Sequence, residues 1–168
     1  MDDQPTPDPT MTRIIEAVQV GQTGDPTRAR QLLTALWDEI GASGDALHRC
    51  TLAHYLADLQ DTPEVELVWD ERALAAATDL TDERAQQHHH TLQVRGFLPS
   101  LHLNLADVHR RLRDTARARA HLTTARSLAE HLPTDQYGDL VRAGIQHVDQ
   151  ALAAGSTQRL DSRPATAG

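Results

Sequence analysis

Lysine is absent from the chain, and all sixteen basic residues are arginine. An individual arginine therefore cannot be read as a choice over lysine for bidentate hydrogen bonding. Cysteine occurs once, at Cys50. A single thiol excludes an internal disulfide and any zinc-type pairing of cysteines, and it fits a reducing, cytoplasmic compartment. Aromatic residues make up only 3%. That argues against a base-stacking surface for nucleic acid and leaves the core to Leu, Ala, Val and Ile. No apolar run approaches the ~20 residues that span a bilayer, so no membrane partner is expected. The opening "MDDQPTPDPT" is acidic and proline-rich, without the basic start and apolar stretch of a signal peptide. Also missing are a glycine-rich phosphate loop, G-x-S-x-G, H-E-x-x-H and any informative pair of carboxylates. The chain reads as non-enzymatic, with no cofactor and no metal site.

What is present is an Ala- and Leu-rich sequence of 168 residues, long enough for one domain with a real core and biased towards helix. Charge is uneven. Residues 1–80 hold five arginines and fifteen acids, a balance of −10, whereas residues 81–168 balance at +2. Within 84–126 there are eight arginines and two acids, Asp107 and Asp114. This basic segment on an acidic chain could attract an anionic ligand, or dock on the acidic half of a second copy.

The spacing contains a repeat. Aligned on Asp25, Asp61 and Asp114, each copy has an alanine eight residues earlier: Ala17, Ala53 and Ala106. Four residues after each Asp come Ala29, Val65 and Ala118, and eight after come Leu33, Trp69 and Leu122. Leu36 and Ala125 follow in register, while Arg72 interrupts the second copy. Small residues let two helices approach closely, the large one fills the gap beyond, and Asp in the turn accepts backbone N–H bonds.

This pattern resembles the tetratricopeptide repeat, best in "LHLNLADVHRRLRDTARARAHLTTARSL" and over about residues 11–154. In the third copy His109 replaces the usual tyrosine and Arg113 the usual turn glycine, whereas Gly24 keeps that glycine in the first. The resemblance implies an all-α superhelix of three antiparallel helix pairs plus a C-terminal capping helix. It also implies a concave groove, lined by the first helices, that binds a protein or peptide. The family's clamp for a terminal carboxylate falls here on Cys50, His54, Asn104, Gly138 and Arg142. Asn104 and Arg142 match it, His54 stands in for an asparagine, and its lysines are missing. Together with Asp107 and Arg111, one turn apart, His54, Asn104 and Arg142 form the groove candidates.

The expected helices are 11–22, 26–41, 45–60, 63–79, 82–95, 99–113, 115–131 and 135–153, with residues 1–10 and 155–168 as disordered tails. Ala53 to Ala106 is longer than Ala17 to Ala53, which points to an inserted helix near 78–97, with Pro99 in a new first turn. Asp107 with Arg111 and Arg110 with Asp114 read as ion pairs along a helix. The consecutive His88, His89 and His90 point about 100° apart on a helix and do not share an ion easily. Cys50 and His54, four apart, would make a reactive thiolate pair if the thiol were exposed. The favoured function is a protein- or peptide-binding scaffold or regulatory adaptor. The alternatives are an anionic small-molecule binder on the Arg/His face, or self-association into a homodimer. Nucleic acid is not an expected partner.

Overall fold

The computed structural model describes residues 7–84 and 94–160. Among these residues the regular structure is all helical: α1 (Pro9–Gln22), α2 (Pro26–Ile40), α3 (Ala46–Asp58), α4 (Pro63–Asp79), α5 (Val94–Arg111), α6 (Thr115–Ala129) and α7 (Gln136–Ala153). Residues 82–84 are also helical, and most of the expected 82–95 helix, with His88, His89 and His90, lies outside the described residues. The chain divides into two compact units, Met1–Val94 and Arg95–Gly168. None of the described helices is long and apolar enough to cross a membrane.

In the first unit α1 pairs with α2 and α3 with α4, and α3 also packs against α1 and α2. The core alanines come from the repeat: Ala17, Ala29 and Ala53 are at most 3% exposed. In the second unit Leu103 and Ala106 of α5, Ala118, Leu122 and Ala125 of α6, and Val141, Ile145 and Val148 of α7 form one buried cluster.

Aspartates in the turns start most of these helices. Asp25 accepts from the Arg28 N–H at 2.9 Å, and Asp114 from the Arg117 N–H at 3.1 Å. The residues just before them both hold positive φ, Gly24 at 111° and Arg113 at 65°. The two turns are therefore equivalent, and Arg113 adopts a left-handed conformation that glycine tolerates better.

The second copy departs from the expected register. Asp61 does not cap α4; Thr62 occupies the N-cap and Pro63 the first turn. Counted from Thr62, the interior positions become Glu66, Asp70 and Ala73 in place of Val65, Trp69 and Arg72. Burial follows that count. Glu66 is 0% and Asp70 1% exposed, whereas Val65 is 45% exposed. A helix turns about 100° per residue, so a start one residue late swings an apolar stripe outwards.

Both segments expected to be tails contribute to the fold where they are described. Helix α1 starts at Pro9, earlier than residue 11, because Asp8 caps it through the Met11 N–H. Beyond α7, the Ser156 and Gln158 carbonyls accept from Arg110, and Leu160 packs on the buried cluster. Pro99, expected to open a helix, lies inside α5. So close to the start it removes a single intrahelical bond.

Replacing Asp25 by alanine is expected to lower stability by about 1 kcal/mol, with Asp61→Ala well under half of that, since only Asp25 caps a helix. Arg113→Gly is expected to stabilise by roughly 0.5 kcal/mol. That is the relief of left-handed strain less the added freedom of the unfolded chain. Urea unfolding of the three variants beside the wild type measures both; a larger loss for Asp61→Ala would contradict the register.

Candidate functional site

The candidates named from sequence lie in both units, and most are engaged within the fold. On α5, Asn104 is 5% exposed. The Asp107 carboxylate bridges two arginines: Oδ1 accepts from Arg110 Nη2 at 2.6 Å and Oδ2 from Arg111 Nε at 3.0 Å. The Asp107–Arg111 pair is thus formed as the spacing suggested. The Arg110–Asp114 pair is not. Arg110 is 2% exposed and turns to Asp107 and the 156–158 carbonyls, while Asp114 takes Arg117 at 3.1 Å. A fixed planar fork with several donors suits this crowded, buried setting.

Arg142 of α7 donates to the carbonyls of Leu132, Ala129 and Pro133, at 2.6, 3.3 and 3.3 Å. It closes off the C-terminal end of α6, where carbonyls lack intrahelical donors. Gly138 leaves no space for a side chain, because a Cβ there would collide with the Pro133 carbonyl oxygen. Neither position offers a free cation to a peptide carboxylate.

In the first unit Cys50 is 5% exposed. Burial pushes its thiol up to about 12, against the pull of the Arg49 charge. Cys50 is thus a small buried hydrophobe, the commoner role for such a cysteine, and not half of a thiolate pair. His54, on the same helix, meets Tyr55 edge to face with ring centroids 5.5 Å apart. Its Nε2 is sealed from solvent, as are Glu66 Oε2 and both carboxylate oxygens of Asp70. The α3–α4 pair therefore carries polar groups in its interior where the other repeats hold Ala and Leu.

The outer surface of α4 carries the opposite chemistry. Val65, Val68, Trp69 and Arg72 follow the i, i+3, i+4, i+7 spacing of one helix face. Val65 and Val68 are 45% and 44% exposed. Trp69 meets Trp37 of α2 edge to face at 5.1 Å. The Arg72 guanidinium lies 4.5 Å from the Trp69 ring centre and 5.4 Å from that of Trp37. Both tryptophans of the chain thus share one half-exposed patch, and the same two helices carry the exposed acids Asp38, Glu64 and Glu71. Sequence reasoning placed Trp69 inside; it had the helix start at residue 63 right but counted the repeat from Asp61, one residue before the N-cap at Thr62.

A charge network ties down the start of the chain. His48 Nε2 lies 2.9 and 2.8 Å from the two oxygens of Asp8, and Arg84 donates to Asp45 at 2.6 Å and to Asp8 at 3.0 Å. Burial raises the Asp8 carboxyl, but the Met11 N–H, His48 and Arg84 outweigh it and hold it down at about 2. At Asp45 burial is likewise outweighed, chiefly by Arg84, and the carboxyl is lowered.

No family model matches the chain, and no curated protein or solved structure matches it.

Two outcomes are expected. The folded-state value of Asp8 is depressed, so its stabilisation is fully present above the ordinary value of 3.8 and disappears as pH falls through about 2. The stability gap between wild type and Asp8→Asn should therefore narrow as pH falls from 3.8 through about 2, as followed by urea unfolding. Cys50 should resist iodoacetamide in the native protein at neutral pH and react once urea unfolds it; rapid native labelling would contradict its burial.

Proposed function

We propose that the chain is a non-catalytic protein-interaction module of tetratricopeptide type, and that its docking surface is the outward face of α4 with Trp37 of α2. The observation that carries this reading is the inversion of α4. Its inner face holds Glu66 and Asp70, both at most 1% exposed, while Val65 and Val68 on its outer face are 44–45% exposed. Leaving valines in water while carboxylates occupy the interior is not what burial of apolar surface alone would select. An outer face covered by a partner accounts for it.

Tryptophan and arginine are the residues that most often dominate binding energy at protein interfaces, and here they are preassembled. Edge-to-face packing fixes both rings before binding, which limits the entropy lost on docking. The exposed acids of these two helices and the −10 balance of residues 1–80 select a partner with a basic, helical face and small residues for the tryptophans to pack on. In the tetratricopeptide arrangement this surface belongs to the second helices, opposite the groove. The expected function class is kept, and the surface moves from the Asn104 and Arg142 region to α4. A cytoplasmic site of action belongs to the same proposal, resting on one buried free thiol.

Capture from the source cell's lysate, with Trp69→Ala/Arg72→Ala beside the wild type, tests the reading. The variant should remain helical by circular dichroism. It should bind the partner held by the wild type more weakly by about 2 kcal/mol, roughly thirtyfold. Equal affinity of the two proteins for that partner would place the contact elsewhere and overturn the assignment to α4.

A further inference from the structure

Three of the five histidines of the second unit cluster together, and the docking surface uses none of them. His102 of α5 and His121 of α6 bring their Nδ1 atoms to 3.0 Å of one another, with ring centroids 5.2 Å apart. His109, also on α5, stacks on His121 with 5.5 Å between centroids and 5° between planes. His109 is itself 4% exposed, with Nδ1 4.0 Å from Asp114 Oδ2. His102 and His121 are only partly buried, so solvent reaches the pair.

We propose that His102 and His121 form a chelating site for a divalent late transition metal ion, Cu2+ above others, bound through the two Nδ1 atoms with water in the remaining positions. The bite supports this. With metal–nitrogen bonds of about 2.0–2.1 Å, two nitrogens stand ~2.9 Å apart at a right angle and ~3.3 Å apart at a tetrahedral one. The 3.0 Å of the metal-free hydrogen bond falls within this range, so the two nitrogens can take up either bite with a small adjustment. For nitrogen ligands Cu2+ is the strongest binder of the divalent series.

In the metal-free pair one ring must donate its Nδ1–H to the other. Moving that hydrogen to Nε2 frees both lone pairs without changing the net protonation of the pair. The Nδ1–Nδ1 hydrogen bond requires one of the two rings to present an unprotonated nitrogen, and burial disfavours the charged form of both. Arg117 is the cation that would repel a metal ion, and it is paired with Asp114 at 3.1 Å. The stacked His109 fixes the orientation of the His121 ring from one side. Among the described residues no three His, Cys, Asp or Glu side chains are spaced to hold a metal. The site is thus a two-nitrogen chelate with open positions, unlike a closed structural zinc site.

The test is titration of the full chain with Cu2+. It uses a His88→Gln/His89→Gln/His90→Gln background that removes the consecutive histidines. One saturable equivalent is expected, whose pulsed electron paramagnetic resonance spectrum shows two coordinated imidazoles. His102→Gln or His121→Gln should weaken that equivalent by more than about 100-fold, beyond the effect of losing an outer partner, whereas His109→Phe should stay within about tenfold. Absence of a saturable equivalent, a spectrum with one imidazole or none, or unchanged affinity in both glutamine variants would overturn the proposal. The spectrum of the background protein decides the matter even if a variant fails to fold.

Discussion

The cap that starts a second helix governs much of this structure, because a helix has no freedom to rotate once its first turn is fixed. Asp25 and Asp114 each accept an N–H three residues on, and from there Ala29 and Leu33, or Ala118 and Leu122, point inwards. In the α3–α4 pair Thr62 occupies the N-cap position without a side-chain cap bond, and everything beyond it is displaced by about 100°. That displacement puts two carboxylates into the interior and two valines and a tryptophan outside. The burial of Glu66, the exposure of Val68 and the Trp–Trp–Arg patch are one consequence seen from different sides.

Such an arrangement is costly for an isolated chain. Buried carboxylates demand compensating groups, and exposed valines forgo about 25 cal/mol for each Å² of apolar surface left in water. The Ala-based contacts of the first and third repeats incur neither cost. The repeat that departs from the interior pattern is therefore also the one that presents the most distinctive surface, and the proposed docking role rests on that coincidence.

The charged residues divide by environment. The basic segment 84–126, which looked like a face for anions, proves to be largely engaged within the fold. Arg110 holds the chain after α7, Arg111 shares Asp107, Arg117 meets Asp114, and Arg126 lies 3.4 Å from Asp149. Arg142 does the same for carbonyls at the end of α6. Exposed pairs of this kind add little stability. Arg110 differs, since removing a buried guanidinium would leave the Ser156 and Gln158 carbonyls without their donor and Asp107 with Arg111 alone.

The sequence by itself determined the helices, the caps at Asp25 and Asp114 and the alanine positions at the helix crossings. These depend on neighbours within about four residues, through propensity, N-capping and 3.6-residue periodicity. It also marked Asp107 and Arg111 as a pair, for the same local reason. Only the tertiary structure decided which face of α4 is buried, because Asp61 and Thr62 are both competent caps and packing chose between them. Only the fold showed that Arg142 caps a neighbouring helix, that Arg110 reaches residues 156–158, and that His102 meets His121. Those contacts join residues 10 to 48 positions apart, and no periodicity along a single helix encodes which side chain will face which across the gap.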